Sequence, residues 1–144
     1  LVRVRPGDHL AWALLVAAQL RALDALGYYE EAIQNGFAQL EAAARLGPIA
    51  CQPVLLALST ALARAGDPRA ADLAERALAN IERLGAVGLN RALAHEARAW
   101  VALLLNDRPR CEEEIKRIQA AVNTQPGSAF AAKLQRLKQA AASS

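Results

Sequence analysis

Two histidines, His9 and His95, are the side chains best suited to move protons or bind a metal near neutral pH. His95-Glu96 opens the stretch H-E-A-R-A, which lacks the second histidine four residues on that a helical zinc site requires. Lone histidines of this kind are read as surface or packing residues. Glu112-Glu113-Glu114 is a run of carboxylates, but at the start of a helix such a run complements the positive end of the macrodipole. Ser59 and Thr60 lack the strand-turn-helix setting of a nucleophile elbow. Gly85-Ala86-Val87-Gly88 has neither the lysine nor the preceding strand of a phosphate loop. Cys51 and Cys111 fall in no metal-ligand spacing and are read as small packing residues, with pairing between them left open. No catalytic, cofactor-binding or metal-ligating residue is expected, and the chain is not read as an enzyme.

The bulk of the sequence serves packing. Of 144 residues, 54% are hydrophobic and 22% charged, a globular balance able to bury one core. Aromatics are 4%, while alanine and leucine, the strong helix formers, are abundant. The net charge of +3 is mild. Arginine and lysine alternate with acids on helix faces, which argues for a solvated surface and against a nucleic-acid stripe. No apolar run reaches the length of a membrane span, and no signal peptide is read. The chain begins at Leu1 and contains no methionine, as expected of a segment of a longer protein. A cytoplasmic setting is expected.

Seven helices are predicted. Asp8 is the expected N-cap of the first, which runs to about Leu26 and stops at Gly27. The second covers about Tyr29–Leu46, with Ile33, Phe37, Leu40 and Ala44 on one face. Gly36 inside it implies a close approach by a neighbouring helix. The third spans about Ile49–Ala65, with Pro53 marking its start or a bend. The fourth opens with Pro68 and ends near Leu84. The fifth covers about Leu89–Leu105. The sixth covers about Pro109–Val122, with Asp107 as candidate cap. The seventh, Ser128–Ala141, is expected to place Phe130, Leu134 and Leu137 on one face and to fray in the Ala-Ser tail.

The turns repeat. Gly27, Gly66 and Asn106 stand 39 and 40 residues apart, and all are residue types that tolerate positive φ. Five residues later come Ala32, Ala71 and Cys111, all small. The second punctuation repeats as well, in Arg45-Leu46-Gly47, Arg83-Leu84-Gly85 and Gln125-Pro126-Gly127. Leu-Gly-Tyr-Tyr-Glu-Glu-Ala-Ile-Gln at 26–34 and the stretch from Ala63 to Leu78 resemble the turn motif of the tetratricopeptide repeat family. The spacing is longer than that family's 34 residues, and Trp12 and Trp100 do not occupy equivalent positions.

The resemblance implies an all-α solenoid of three antiparallel helix pairs, about 8–47, 48–86 and 87–125, plus a capping helix at about 128–141. It implies a concave groove lined by the first helix of each pair. Positions counted back from each turn give Arg21, Asp24, Thr60, Arg64, Glu96 and Trp100 as its lining. The implied partner is a protein segment, a peptide or helix, with the chain serving a larger bacterial regulator. Self-association as a homodimer and small-molecule sensing are the alternatives.

Overall fold

The computed structural model describes residues 6–123 and 125–143. Among these residues the protein is all-α, with seven helices and no strand. They are α1 (Pro6–Ala25), α2 (Tyr29–Leu46), α3 (Pro48–Arg64), α4 (Arg69–Arg83), α5 (Leu89–Leu104), α6 (Arg108–Ala121) and α7 (Ala131–Ser143). Among the described residues no helix is long and apolar enough to cross a membrane.

Each helix packs on its neighbours in sequence. In addition, α3 packs on α1, α5 on α3 and α7 on α5, so the odd-numbered helices form one row. The central helix α3 touches α1, α2, α4 and α5. A first apolar cluster, including Val16, Leu20, Leu40, Val54, Leu58, Leu62 and Leu73, fills the space among α1 to α4. A second, built on Cys111, Ile118, Phe130, Leu134 and Leu137, joins α5, α6 and α7. Leu78, Ile81 and Ala94 bridge α4 to α5. Asn80 adds a polar tie by donating to the Pro48 carbonyl at 2.8 Å and to Gln52 Oε1 at 2.9 Å.

The repeated turns behave as their residue types demand. Gly27, Gly66 and Asn106 have φ of 82°, 73° and 64°. Asn106 is the one non-glycine in that region among the described residues. Asn106→Val is expected to cost about 1–2 kcal/mol in urea denaturation, because a β-branched side chain resists the left-handed region. Asn106→Gly should change little. Gly36 also meets its expectation: a Cβ built there would lie 2.5 Å from Leu58 Cδ1, so α2 and α3 approach across it.

Several local expectations are corrected. Asp8 is not a cap, since it lies inside α1. Likewise α3 begins at Pro48, leaving Pro53 buried inside the helix. Pro68 precedes α4 rather than opening it, and the Arg69 N–H donates to Asp67 Oδ1 at 2.9 Å. Ala71 is half-buried, and Ala70 takes the fully buried place. On α2 the buried face holds Ala43 rather than Ala44. α7 starts at Ala131, so Phe130 packs from the turn before it. The helix continues past Ala141 through Ser143, whose hydroxyl donates to the Gln139 carbonyl at 2.9 Å. Asp107 does cap α6, accepting from the Arg110 N–H at 3.3 Å.

Candidate functional site

The open face belongs to the odd-numbered helices. α3 is enclosed by its four neighbours, and among the residues it leaves accessible, Ile49, Leu56, Thr60 and Arg64 recur at seven- and four-residue steps along one strip. The corresponding strip of α5 carries Leu89, Leu93, Glu96 and Trp100. α1 contributes Leu10, Leu14 and Arg21.

Charges on this face meet between helices. Arg64 Nε of α3 lies 2.9 Å from Asp24 Oδ2 of α1. Lys133 Nζ of α7 lies 3.8 Å from Glu96 Oε1 of α5. Burial pushes the Asp24 carboxyl up, against the charge and hydrogen bond of Arg64. Burial likewise raises Glu96, opposed by Lys133, Arg136 and Arg21. Arg21 and Arg136 thus add their fields to one site from α1 and α7. Among the described residues neither has a carboxylate within ion-pair distance.

Asp24 is 9% exposed, and its Oδ1 is buried without a hydrogen-bond partner. An incompletely satisfied buried carboxylate is expensive. Asp24→Asn should therefore leave stability within about 1 kcal/mol of wild type or raise it. A loss well beyond that in chemical denaturation would mean the Arg64 pair outweighs the desolvation.

Of the predicted lining, then, Asp24 and Arg64 form a pair, and Arg21 and Glu96 share an electrostatic neighbourhood. Thr60 is half-buried and its hydroxyl donates to the Leu56 carbonyl at 3.2 Å. Trp100 is half-buried and packs against the second apolar cluster, so its ring is partly core.

Sequence reasoning missed a second polar site on the opposite face of α5. His95, Arg98 and Glu114 are buried together, with Glu114 only 1% exposed. His95 Nδ1 lies 2.6 Å from Glu114 Oε2 and Arg98 Nη1 lies 3.0 Å from Glu114 Oε1. An ionised carboxylate only accepts, so Nδ1 carries the proton in this bond. Burial alone would raise the Glu114 carboxyl. The His95 hydrogen bond and the charges of Arg98 and Arg117 outweigh it and hold the group below the ordinary glutamate value. Glu75 of α4 accepts from Arg98 Nη2 and so ties the network to the next pair. The Glu112–Glu114 run is therefore not a helix-start feature: it lies beyond the first turn of α6, and its last member is the buried anchor. The spacing His95, Arg98, Ala102 marked one face of α5, but it reads as a polar surface until α6 covers it.

Two clefts flank this network between α4, α5 and α6. One, of about 200 Å³, is lined by Glu75, Arg98, Asp107 and Arg110 among others. The other, of about 480 Å³, is lined by Leu78, Glu82, Val87, Arg91, His95 and Arg117. Ser59 is fully buried and donates to the Leu56 carbonyl at 2.9 Å. Both cysteines are free, Cys51 half-buried and Cys111 buried, and the thiols of both are raised chiefly by burial. Among the described residues no group of three His, Cys, Asp or Glu side chains is placed to hold a metal ion.

The protein is thus an all-α chain whose helices pack on near neighbours, with a charged and apolar face on the odd-numbered helices and a buried ion network between α5 and α6. No protein-family profile, no curated protein and no solved structure matches it.

Proposed function

We propose that the chain is a non-enzymatic interaction module of tetratricopeptide-like build, a short solenoid that receives a peptide or helix of another protein across its odd-numbered helices. It would serve as the docking part of a larger bacterial regulatory protein. The observation that carries this reading is the row formed by α1, α3, α5 and α7, in which the central helices α3 and α5 keep an accessible strip while most of their remaining surface is committed to packing. A groove of this kind presents apolar anchors with polar groups around them, the arrangement that concentrates binding energy at protein interfaces. Trp100 supplies a signal: a bound segment is expected to change its fluorescence, and Trp100→Phe should remove that change while leaving binding by calorimetry.

A second reading, self-association, is favoured by α1. Its outward side is apolar along its length, with Ala11, Leu14, Leu15, Ala18, Ala22 and Ala25 all exposed. A contiguous exposed apolar face marks an interaction surface. Light scattering over a concentration series separates the two. A constant mass near 15.3 kDa leaves the row free for a partner. Twice that mass, reverting to the monomer in Leu15→Glu, assigns α1 to a dimer.

A further inference from the structure

The open face is divided along its length. Seventeen residues before the three turn residues stand Leu10, Ile49 and Leu89, one on each of α1, α3 and α5 and in the same register. They are 38%, 56% and 51% exposed, far more than a packing role requires. Leu14, one turn further along α1, is also exposed. Aliphatic side chains at one register on three neighbouring helices form a ladder across the end of the face remote from the turns.

Towards the turns the chemistry changes. Arg21 of α1, Arg64 of α3 and Lys133 and Arg136 of α7 surround Asp24 and Glu96. Four cations against two carboxylates leave a formal excess of two positive charges. The carboxylates are the more buried members: the Asp24 and Glu96 side chains are 10% and 15% exposed, against 45% and 42% for Arg64 and Lys133. The surface offered to a partner is therefore cationic, with the acids beneath it holding the cations in place. Half-buried Leu56 and Trp100 connect the two halves.

We infer that the occupant of this face is an amphipathic protein segment with aliphatic side chains at one end and carboxylates at the other, the aliphatic end on the Leu10–Ile49–Leu89 ladder and the acidic end under Arg21, Arg64, Lys133 and Arg136. This rests on the reading of the row as a partner groove. It adds polarity and direction, because a segment of opposite charge or reversed order would set cation against cation, or carboxylate against leucine.

The test uses the whole chain and three synthetic peptides of about 20 residues. The first has leucines at helical spacing in one half and glutamates in the other. The second replaces its glutamates by lysine, and the third its leucines by serine. Binding is read by Trp100 fluorescence and calorimetry. The first peptide is expected to bind at least about tenfold more tightly than either counterpart, and to weaken as salt is raised. The double variant Arg21→Glu, Arg136→Glu should lose that tenfold and shift preference to the lysine peptide. Ile49→Ser should weaken the leucine peptides and leave the charge preference intact. These positions are exposed, and circular dichroism confirms that each variant is folded. Equal binding of the glutamate and lysine peptides, or no effect of the charge reversal, overturns the inference while the groove reading stands. No binding of any peptide by a monomeric chain overturns both.

Discussion

Replacing Glu114 by alanine is expected to destabilise the fold by about 3–5 kcal/mol, the loss seen when one partner of a buried ion pair is removed and the other stays behind. Here two partners remain, since both His95 and Arg98 are buried against that carboxylate. Glu114→Gln keeps an acceptor for one of them and should lose less. Urea denaturation of wild type, Glu114→Ala, His95→Ala and the variant carrying both gives a double-mutant cycle, and a coupling of about 0.5–3 kcal/mol is expected between residues in one network. Additive losses would mean that the three side chains are neighbours without being partners.

The same group sets a pH dependence. The Glu114 carboxyl is held below its ordinary value, so the unfolded chain binds its proton more readily than the folded one. Its contribution is complete above the unfolded glutamate value of about 4.3 and is lost as pH falls through the lowered folded value. The stability gap between wild type and Glu114→Ala should therefore narrow in acid. Asp24 and Glu96 act with the opposite sign: their raised values favour the folded state at lower pH, and that advantage declines as pH rises through them.

The second large effect is expected at Gly36. Alanine in a helix interior is normally better than glycine by about 1 kcal/mol. At Gly36 the new Cβ would stand 2.5 Å from Leu58 Cδ1, in a side chain with no exposed surface. Overpacking of this kind costs about 1–3 kcal/mol, so Gly36→Ala should be net destabilising. Leu58→Ala alone should cost about 2–5 kcal/mol as a cavity. In that background the clash disappears, and Gly36→Ala should become neutral or stabilising. Thermal or urea unfolding of the four proteins checks the sign change. A stabilising Gly36→Ala in the wild-type background would show that Leu58 moves aside freely.

Helix number, helix order and the short turns were legible because they depend on local physics. Gly27, Gly66 and Asn106 mark positive φ by residue type alone, and alanine- and leucine-rich stretches between them have few alternatives to helix. Gly36 was legible for the same reason, since a glycine inside a strong helix former needs a close neighbour to explain it. Boundaries at proline were less secure. Proline excludes an N–H without stating whether it opens a helix, as at Pro48, or sits within one, as at Pro53.

The candidate sites divide along the same line. Counting back from the turns proposed Arg21, Asp24, Thr60, Arg64, Glu96 and Trp100 as one lining, because a helix period carries a position to one face wherever the register is kept. It could not reveal that Asp24 pairs with Arg64 across two helices, or that Lys133 and Arg136 arrive from α7. The His95–Arg98–Glu114 network was hidden for a stronger reason. Isolated on α5 or α6, each of those residues belongs on a solvated face. Only the docking of α6 against α5, with Glu75 of α4 alongside, removes water from them and makes their mutual contacts obligatory. Local conformation is encoded residue by residue and can be read that way, whereas burial of charge is a property of how helices meet and exists only once they have packed.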